Sequence, residues 1–376
     1  MTHIVQALAA LSIGGSEFVA TELTEYLRAQ GCTVTVLGAP GPLGERVAAS
    51  GAHRLAWPVN RKRIGTLRYI GKIRRWIQTE QPDLIHVHSR LPALLIWRAL
   101  SGLPAAQRPL LVTSMHGHYS VSAYSSIMAR GDAVIAVSEA IKRYTLHNYP
   151  VEPERVHVIH GGASTREFPH GHRPSAAWLA ATLEEFPELA GKRWLCLPGR
   201  LSRYKGHEAF IDLIASLATD YPTLHGVIVG AGREGSRYHD QLEGLASREG
   251  VADRITFTGV RHDIREWMAA SELVLNLCSD PPEAFGRTIV EALYLGRPVV
   301  AWNHGGVAEI LARMYPFGAV PADNSAALRA QTATFLRQAP PVPAMDAFAL
   351  EQSMRQTLEL YHRLLDEKAA ERGTPK

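Results

Sequence analysis

The stretch "KRWLCLPGRLSRYKG", residues 192–206, contains the pattern that decides the fold of this chain. After Lys192 and Arg193 it contains a short apolar run, and the run leads into a loop bounded by Gly199 and Gly206. A continuous apolar run of this length is typical of a parallel strand that is covered on both faces. The stretch therefore predicts one strand-loop-helix unit of a parallel sheet.

The same unit recurs in both directions along the chain. Before this stretch, apolar runs alternate with helical patterns at residues 3–8, 33–38, 84–88, 110–115, 133–138 and 155–162. After it, further runs occur at residues 224–232, 254–259, 273–278, 298–303 and 318–323. This alternation predicts an α/β protein with two doubly wound, Rossmann-like domains in series. Because ligands bind beyond the carboxyl ends of such strands, we expect the site in a cleft between the domains.

The alternation lapses at residues 165–192, where "TREFPHGHRPSAAW" contains two prolines and two histidines, and this composition predicts an interdomain linker. We expect domains at residues 1–168 and 169–345. A proline cluster at 339–346 then precedes a segment, 346–376, with an amphipathic helical stripe. The stripe consists of Leu350, Met354, Leu358, Tyr361 and Leu365.

Composition places the chain among ordinary globular proteins, with 46% apolar and 20% charged residues in 376. Cys32, Cys196 and Cys278 lie in or beside apolar runs without metal-like spacing, which predicts reduced, buried thiols. No cation precedes the first apolar run, and no run reaches the roughly 18 apolar residues of a membrane span. We therefore expect a cytoplasmic protein.

Charge is unevenly distributed along the sequence. Residues 1–160 contain 17 Lys/Arg and 10 Asp/Glu, a net +7, and the remainder contains 40 − 17 = 23 and 36 − 10 = 26, a net −3. The basic half predicts an anionic partner. Its densest part, residues 60–78, combines helically spaced apolar residues with seven cations, so it could lie on an anionic membrane surface. It could equally be a helix that packs on its own sheet and keeps a solvated basic face.

Loops after strands in the first half contain glycines and histidines. Gly14 and Gly15 permit a tight turn and a close ligand approach at a helix start, although they could simply connect two elements. His116 follows a strand directly, a position suited to chemistry. His86 and His88 point to one face of their strand, and we expect packing there rather than a zinc site.

Loops in the second half favour anion binding. Arg200 and Lys205 follow a strand, and their side chains suit phosphate oxygens. Gly230, Gly232 and Gly235 form a literal G-x-G-x-x-G, but it follows the second strand of its half. The next strand, residues 254–259, ends without the acid that dinucleotide sites use. The loop is therefore interpreted as nucleotide-facing, without hydride chemistry.

The segment "EAFGRTIVE" places Glu283 in a loop and Glu291 on the helix that Gly286 begins. The two acids are about 7–8 Å apart along the helix axis, so they cannot share one proton. They are expected to bind different parts of one extended ligand, with the N–H groups of Phe285 and Gly286 facing the same space. Gly296 should end the helix.

Several of these segments together resemble one known family. They are the Glu283/Glu291 pair with its "FG", "GRLSRYKG", "VGAG", "VSE" (137–139), "HVH" with "MHG", and the N-terminal "GG", in an order that spans residues 14–309. The chain resembles the GT-B glycosyltransferases, specifically the retaining family 4 of the bacterial lipopolysaccharide or surface-glycan type. One departure is "HGGAS" (160–164), where the family usually has "NGVD".

The resemblance implies a role for each candidate residue. Glu283 would contact the donor sugar and His116 would lie near the reacting sugar, both as catalytic residues. The donor diphosphate would be bound by Arg200, Lys205, Gly15, Phe285 and Gly286. The ribose and base would contact Glu291, Gly230, Val260 and Arg261. Residues 1–168 would form the acceptor-side domain and 169–345 the nucleotide-sugar domain, and the last helix would cross back to the first domain.

The resemblance also implies the reaction. A retaining hexosyltransferase would move a sugar from a nucleotide-diphospho-sugar to a glycan or lipid-linked glycan, and residues 60–78 would contact the inner face of the cell membrane. The sequence contains no D-x-D, so no metal and no other cofactor are expected, and no nucleic acid partner. The alternatives are a nucleotide-sugar epimerase of the same fold, a non-catalytic sugar-nucleotide sensor, and an NAD-dependent oxidoreductase.

Overall fold

A computed structural model describes residues 1–230 and 236–373. The chain divides into two compact units. Unit 1 comprises Met1–Gly161 and Glu351–Lys376, and unit 2 comprises Gly162–Leu350. The domain boundaries after residues 168 and 345 stay predictions.

Unit 1 is built on a seven-stranded parallel sheet with helices between the strands. Its strands are β1 (His3–Ala10), β2 (Thr33–Ala39), β3 (His53–Ala56), β4 (Leu84–Val87), β5 (Leu110–Met115), β6 (Ala133–Ala136) and β7 (Val156–Val158). Its helices up to residue 161 are α1 (Gly15–Ala29), α2 (Gly44–Ala49), α3 (Arg68–Glu80), α4 (Arg90–Ser101) and α5 (Glu139–Asn148). The spatial order β3-β2-β1-β4-β5-β6-β7 reverses direction between β1 and β4, as a doubly wound sheet does.

The sequence did not predict strand β3. This edge strand is four residues long, and His53 and Arg54 in it are exposed. It pairs with β2 alone. A strand with this little burial lacks the apolar run by which the other strands were recognised.

Unit 2 repeats the architecture with six parallel strands. They are β8 (Arg193–Pro198), β9 (Leu224–Val229), β10 (Ile255–Phe257), β11 (Leu273–Asn276), β12 (Val299–Trp302) and β13 (Ala319–Val320). The helices are α6 (Ala176–Glu185), α7 (His207–Leu217), α8 (Arg237–Arg248), α9 (Ile264–Ala270), α10 (Arg287–Tyr294), α11 (Gly305–Met314) and α12 (Ser325–Gln338). The order β10-β9-β8-β11-β12-β13 reverses between β8 and β11. The prediction of two doubly wound α/β sheets is confirmed.

The prediction of a linker over residues 165–192 is wrong for helix α6. The Ser175 hydroxyl caps α6 by accepting a hydrogen bond from the backbone N–H of Trp178 at 3.1 Å. The indole of Trp178 donates to Asp263 at 2.6 Å and packs edge-on against Trp267. This part of the segment is therefore packed into unit 2, and the prolines that suggested a linker lie in the loop before it.

The last helix, α13 (Leu350–Gly373), belongs to unit 1 from Glu351 onward. Met354, Leu358 and Tyr361 of the predicted stripe are buried, and the Tyr361 hydroxyl bonds to His86 on β4 at 2.5 Å. The prediction that the C-terminal helix returns to the first domain is therefore confirmed. Among the residues described, no helix combines the length and hydropathy needed to cross a membrane.

Candidate functional site

The carboxyl edge of the unit 2 sheet brings three loops together. A Cβ atom on Gly230, after β9, would lie 2.1 Å from the carbonyl oxygen of Gly199, after β8. The Gly230 N–H also donates to the carbonyl of Gly259, after β10, at 3.1 Å. Only glycine permits this approach, so Gly230 has a structural reason to be present. Gly232 and Gly235 of the same motif lie outside the described residues.

Lys205 and Glu283 form an ion pair at this edge, with 2.5 Å between Nζ and Oε2. Lys205 lies just before α7, and Gly206 at φ +76° lets the helix start approach β11. A Cβ on Gly206 would lie 2.1 Å from the Leu277 carbonyl oxygen. Burial is the largest single effect and lowers the pKa of Lys205, but the Glu283 carboxylate, with smaller contributions from Cys278 and Tyr204, raises the pKa of the ammonium group overall. Lys205 is therefore cationic at neutral pH.

The loop that carries Glu283 is held by the start of α11. The Gly306 N–H donates to the Glu283 carbonyl at 2.9 Å, and a Cβ on Gly305 would lie 2.6 Å from that oxygen. The His304 ring donates through Nε2 to the carbonyl of Cys278 at 2.6 Å. These residues were not among the candidate site residues predicted from the sequence, although two consecutive glycines at the start of a helix are a signal of close backbone contact.

Helix α10 begins and ends as predicted. Gly286 at φ +105° precedes it, and Gly296 at φ +78° follows its last turn. The carboxylate of Glu291 is buried and accepts a hydrogen bond from Arg287 Nε at 2.8 Å. Glu283 and Glu291 therefore each have a cationic partner of their own, and Phe285 packs its ring against Phe348 rather than into solvent.

The remaining predicted residues of unit 2 differ in their surroundings. Arg200 is exposed and Val260 has 55% of its surface accessible. The guanidinium of Arg261 forms a salt bridge with Glu185 and lies 4.9 Å over the Phe186 ring. Arg261 would have to contact a nucleotide base in addition to Glu185 and Phe186, so that role stays a prediction.

The carboxyl edge of the unit 1 sheet has an open glycine at a helix start. Gly15 is the first residue of α1, and a Cβ added to it would meet nothing within 4 Å. The first backbone N–H groups of a helix lack partners within the helix and favour an anion. Gly15 therefore offers free space where a ligand could approach the backbone.

His116 follows β5 at the same edge and contacts His88, which directly follows β4. The His88 Nδ1 and His116 Nε2 atoms are 3.0 Å apart, and the ring centroids of His86 and His88 are 4.1 Å apart with the ring planes tilted by 46°. Burial lowers the pKa of His116 to about 4 and lowers the pKa values of His86 and His88 well below the ordinary value. All three rings are therefore neutral at pH 7. They are also packed together, as predicted for His86 and His88.

Two motifs that contributed to the family resemblance have structural roles. The Ser138 hydroxyl of "VSE" caps helix α5 by accepting from the backbone N–H of Ile141 at 3.1 Å. In "HGGAS", Ala163 forms an isolated parallel bridge with Ala349, and the Leu350 N–H donates to the Ala163 carbonyl at 2.9 Å. Both segments hold the fold together at these positions.

The basic segment 60–78 divides into two parts. Ile73 and Ile77 of α3 are 1% exposed, so this part packs into unit 1 as the alternative interpretation expected. Ile64 and Leu67, in the turn before α3, are 90% and 52% exposed. Basic residues flank these two residues in the sequence, and Lys62 lies 4.1 Å over the ring of Tyr124.

Comparisons with known proteins agree with this geometry. Residues 13–167 match the family described as Glycosyltransferase Family 4, and residues 183–345 match Glycosyl transferases group 1. The lipopolysaccharide core biosynthesis mannosyltransferase LpsB of Rhizobium meliloti (strain 1021) is 26% identical over 340 residues, which cover 86% of this chain and 90% of LpsB.

Two solved structures share the fold over nearly the whole length. A glycosyltransferase from Rickettsia africae superposes with a TM-score of 0.82 at 21% identity, covering 97% of this chain and 99% of that one. HepE from Anabaena, crystallised with UDP and glucose, superposes with a TM-score of 0.76 at 22% identity, with the same coverage of 97% and 99%.

Proposed function

The chain belongs to the family 4 glycosyltransferases, and on that premise we propose that it moves a hexose from a nucleotide-diphospho-sugar to a glycan or lipid-linked glycan acceptor. The proposed pathway class is lipopolysaccharide or other surface polysaccharide synthesis. LpsB is named for lipopolysaccharide core synthesis, and HepE was crystallised with UDP and glucose, which supports the acceptor class and the donor class respectively.

The observation that carries the proposal is the junction of loops at the carboxyl edge of the unit 2 sheet. Gly230 and Gly206 bring backbone segments into contact there, and Lys205 and Glu283 meet in an ion pair. A diphosphate suits this place because Lys205 is cationic and Arg200 is exposed nearby in the same loop.

Departure of the diphosphate is the step that these residues would assist. Negative charge develops on the leaving phosphate, and fixed cations that lie close to it lower the barrier. When a diphosphate binds Lys205, it competes with Glu283 for the ammonium group. The Glu283 carboxylate can then accept hydrogen bonds from hydroxyl groups of the donor sugar. The backbone N–H groups of Phe285 and Gly286, just before α10, would also direct the positive ends of their dipoles toward the phosphate.

We further propose retention of the anomeric configuration, by displacement on the same face through an oxocarbenium-like state. With no D-x-D in the sequence, the cations would take the place of a metal at the diphosphate. Incubation with donor and a slow acceptor, followed by intact-protein mass spectrometry, tests the first point. A trapped sugar on Glu283 would overturn the same-face displacement.

A thermal-shift screen with UDP, GDP, ADP and their sugars tests the donor class. We expect one nucleotide and its sugar to raise the melting temperature, and that sugar to be transferred when a glycan or lipid-linked acceptor is added. Failure of every nucleotide to bind would contradict the proposal. Release of an epimerised sugar without an acceptor would show that the protein is an epimerase instead of a transferase.

We propose that the turn 64–67 and its basic neighbours contact an anionic lipid surface. Ile64 and Leu67 are exposed apolar residues, and Arg61 and Arg63 beside them are exposed cations, a combination that suits the interface of such a membrane. Arg74 is less suited, because its guanidinium donates to the Ala99 carbonyl at 3.2 Å.

Sedimentation with vesicles that contain about 30% phosphatidylglycerol, an anionic lipid, tests this contact. Ile64→Ser with Leu67→Ser, and separately Arg61→Glu with Arg63→Glu, should each weaken binding. The matched control is Phe317→Ser, which removes an apolar side chain that is 58% exposed in unit 2. Equal binding by all variants would contradict the contact.

A further inference from the structure

A chain of buried hydrogen bonds connects His116 to the C-terminal helix. From His116 it passes to His88 at 3.0 Å and from His88 Nε2 to the Gln6 side-chain oxygen at 2.7 Å. The Gln6 amide nitrogen then reaches the Tyr361 hydroxyl at 3.4 Å, and Tyr361 reaches His86 Nδ1 at 2.5 Å. His86 Nε2 ends the chain at the Ser114 hydroxyl, 2.7 Å away.

The donors and acceptors along this chain are mutually determined. With the Gln6 amide oriented as in the structure, its oxygen accepts, so His88 carries its proton on Nε2. A neutral His88 then has a lone pair on Nδ1, and this lone pair accepts a hydrogen bond from the Nε2–H of His116. His116 is left with an unprotonated Nδ1, the ring nitrogen that takes no part in the chain.

Tyr361 holds the Gln6 amide in this orientation. Its oxygen accepts from the Gln6 amide nitrogen, while its proton goes to His86 Nδ1. If the oxygen and nitrogen of the Gln6 amide were exchanged, donor and acceptor would have to be exchanged at every hydrogen bond of the chain, because each neutral imidazole has one donor and one acceptor. The tautomers along the chain therefore change together. Loss of one hydrogen bond removes this constraint from the residues on either side of it.

We propose that Tyr361 and Gln6 are positioning residues that fix the tautomer of His116, so that Nδ1 is the nitrogen presented for a hydrogen bond from a substrate hydroxyl. The catalytic consequence rests on the proposed function, in which His116 lies near the reacting sugar. Burial supports the premise of neutral rings, since it lowers the pKa values of His86, His88 and His116. Burial also raises the pKa of Tyr361, which therefore keeps its proton.

The test compares Tyr361→Phe with wild type. Phe retains the ring that packs on His86 and removes only the hydroxyl, which leaves Gln6 and His86 without their shared partner. The matched control is Tyr315→Phe in unit 2, which also deletes a buried hydroxyl, one that donates to the Pro340 carbonyl at 2.7 Å. Melting temperatures of both variants show what the loss of a buried hydrogen bond costs by itself.

The decisive measurement is the nitrogen NMR spectrum of histidine-labelled protein without substrate. In wild type, the signals that disappear in His116→Gln should show a protonated Nε2 and an unprotonated Nδ1. In Tyr361→Phe those two signals should move toward each other as the tautomers mix, whereas Tyr315→Phe should leave them in place. Unchanged His116 signals in Tyr361→Phe would overturn the proposal.

Kinetics then separate this inference from the proposed function. Tyr361→Phe should lower kcat by about 10- to 100-fold, the range that loss of a supporting hydrogen bond to an active-site histidine costs in metal sites, with the donor KM nearly unchanged. Tyr315→Phe should retain wild-type kcat. If the His116 signals change and kcat does not, the positioning role is wrong. If wild type transfers no sugar, the proposed function fails, and the NMR result still decides the tautomer claim.

Discussion

The carboxyl edges of the two sheets share one topology and differ in chemistry. In unit 1, the edge beyond β4 and β5 contains neutral histidines whose pKa values are lowered by burial. In unit 2, the edge beyond β8 and β11 contains the Lys205–Glu283 ion pair, in which the carboxylate raises the pKa of the ammonium group. The same strand order thus supports hydrogen-bond geometry in one unit and fixed charge in the other.

This difference indicates separate tasks for the two edges. Fixed charges near the leaving phosphate lower a barrier through electrostatics. A neutral, oriented imidazole contributes direction and accepts or donates one hydrogen bond. Changes in unit 2 should therefore alter donor binding and the rate strongly, whereas changes in unit 1 should alter the rate through geometry.

The largest effect is expected from removal of the Lys205 charge. Lys205→Gln should lower the rate of transfer by about 100- to 1,000-fold, because the departing diphosphate loses a fixed cation. It should also abolish the thermal shift that the donor nucleotide causes. Steady-state transfer assays and the thermal-shift screen measure both quantities.

Lys192→Gln is the matched control for this change. Lys192 is exposed and precedes β8, so it lies at the opposite end of the same strand. The variant loses the same charge and should keep wild-type activity. If both variants lose activity equally, net charge and not the local site governs donor binding, and the contrast between the two edges fails.

Alanine substitutions should distinguish a glycine that is needed for backbone packing, Gly230, from one that leaves space for a ligand, Gly15. Gly230→Ala places a methyl group 2.1 Å from the Gly199 carbonyl oxygen and should destabilise the protein by about 1–3 kcal/mol, since the backbone must move. Gly15→Ala meets nothing within 4 Å, so it should keep the melting temperature and raise the donor KM.

The control for Gly230→Ala is Gly244→Ala within helix α8. Its nearest neighbour is the flexible end of Arg248 at 3.5 Å, and alanine favours the helix by about 1 kcal/mol over glycine. Chemical denaturation measures the free energy of unfolding in all three variants. An unaltered stability of Gly230→Ala would show that the loops after β8 and β9 do not need their close approach.

Local patterns predicted most of the fold and only part of the site. The apolar runs identified every strand except β3, and "EAFGRTIVE" predicted both ends of α10, because burial and helix termini act on neighbouring residues. The pairing of Lys205 with Glu283 spans 78 residues, and the contact of Gln6 with Tyr361 spans 355. Such contacts depend on the folded topology, and no periodicity in the sequence encodes them.

Acidification should weaken unit 1 more than unit 2. Burial holds the pKa of His116 at about 4 and those of His86 and His88 well below the value of about 6.5 in an unfolded chain. Below about pH 6.5 the unfolded state binds more protons, so stability falls as the pH drops toward 4. The described residues of unit 2 include two such histidines, His207 and His225, each with its pKa lowered by burial to about 4, against three at the unit 1 edge, so less of the stability of unit 2 depends on neutral histidines.

Hydrogen exchange at pH 7 and pH 5, corrected for the intrinsic rates, measures this difference. Amides of β4 and β5 should lose more protection than those of β9, which carries His225, because His86 lies on β4 and His88 and His116 directly follow β4 and β5. A greater loss in β9, or no loss in either unit, would contradict the contrast.

The smallest effect concerns a motif that contributed to the family resemblance. Ser138→Ala removes the hydroxyl that caps α5 in unit 1 and should cost about 1 kcal/mol of unfolding free energy, the usual contribution of a helix cap. Ser236→Ala removes the corresponding cap of α8 in unit 2, where the hydroxyl accepts from the His239 N–H at 3.3 Å, and should cost about the same. Both variants should retain wild-type kcat. A fall in kcat for Ser138→Ala alone, at equal stability, would instead assign this serine to the substrate side of the unit 1 edge.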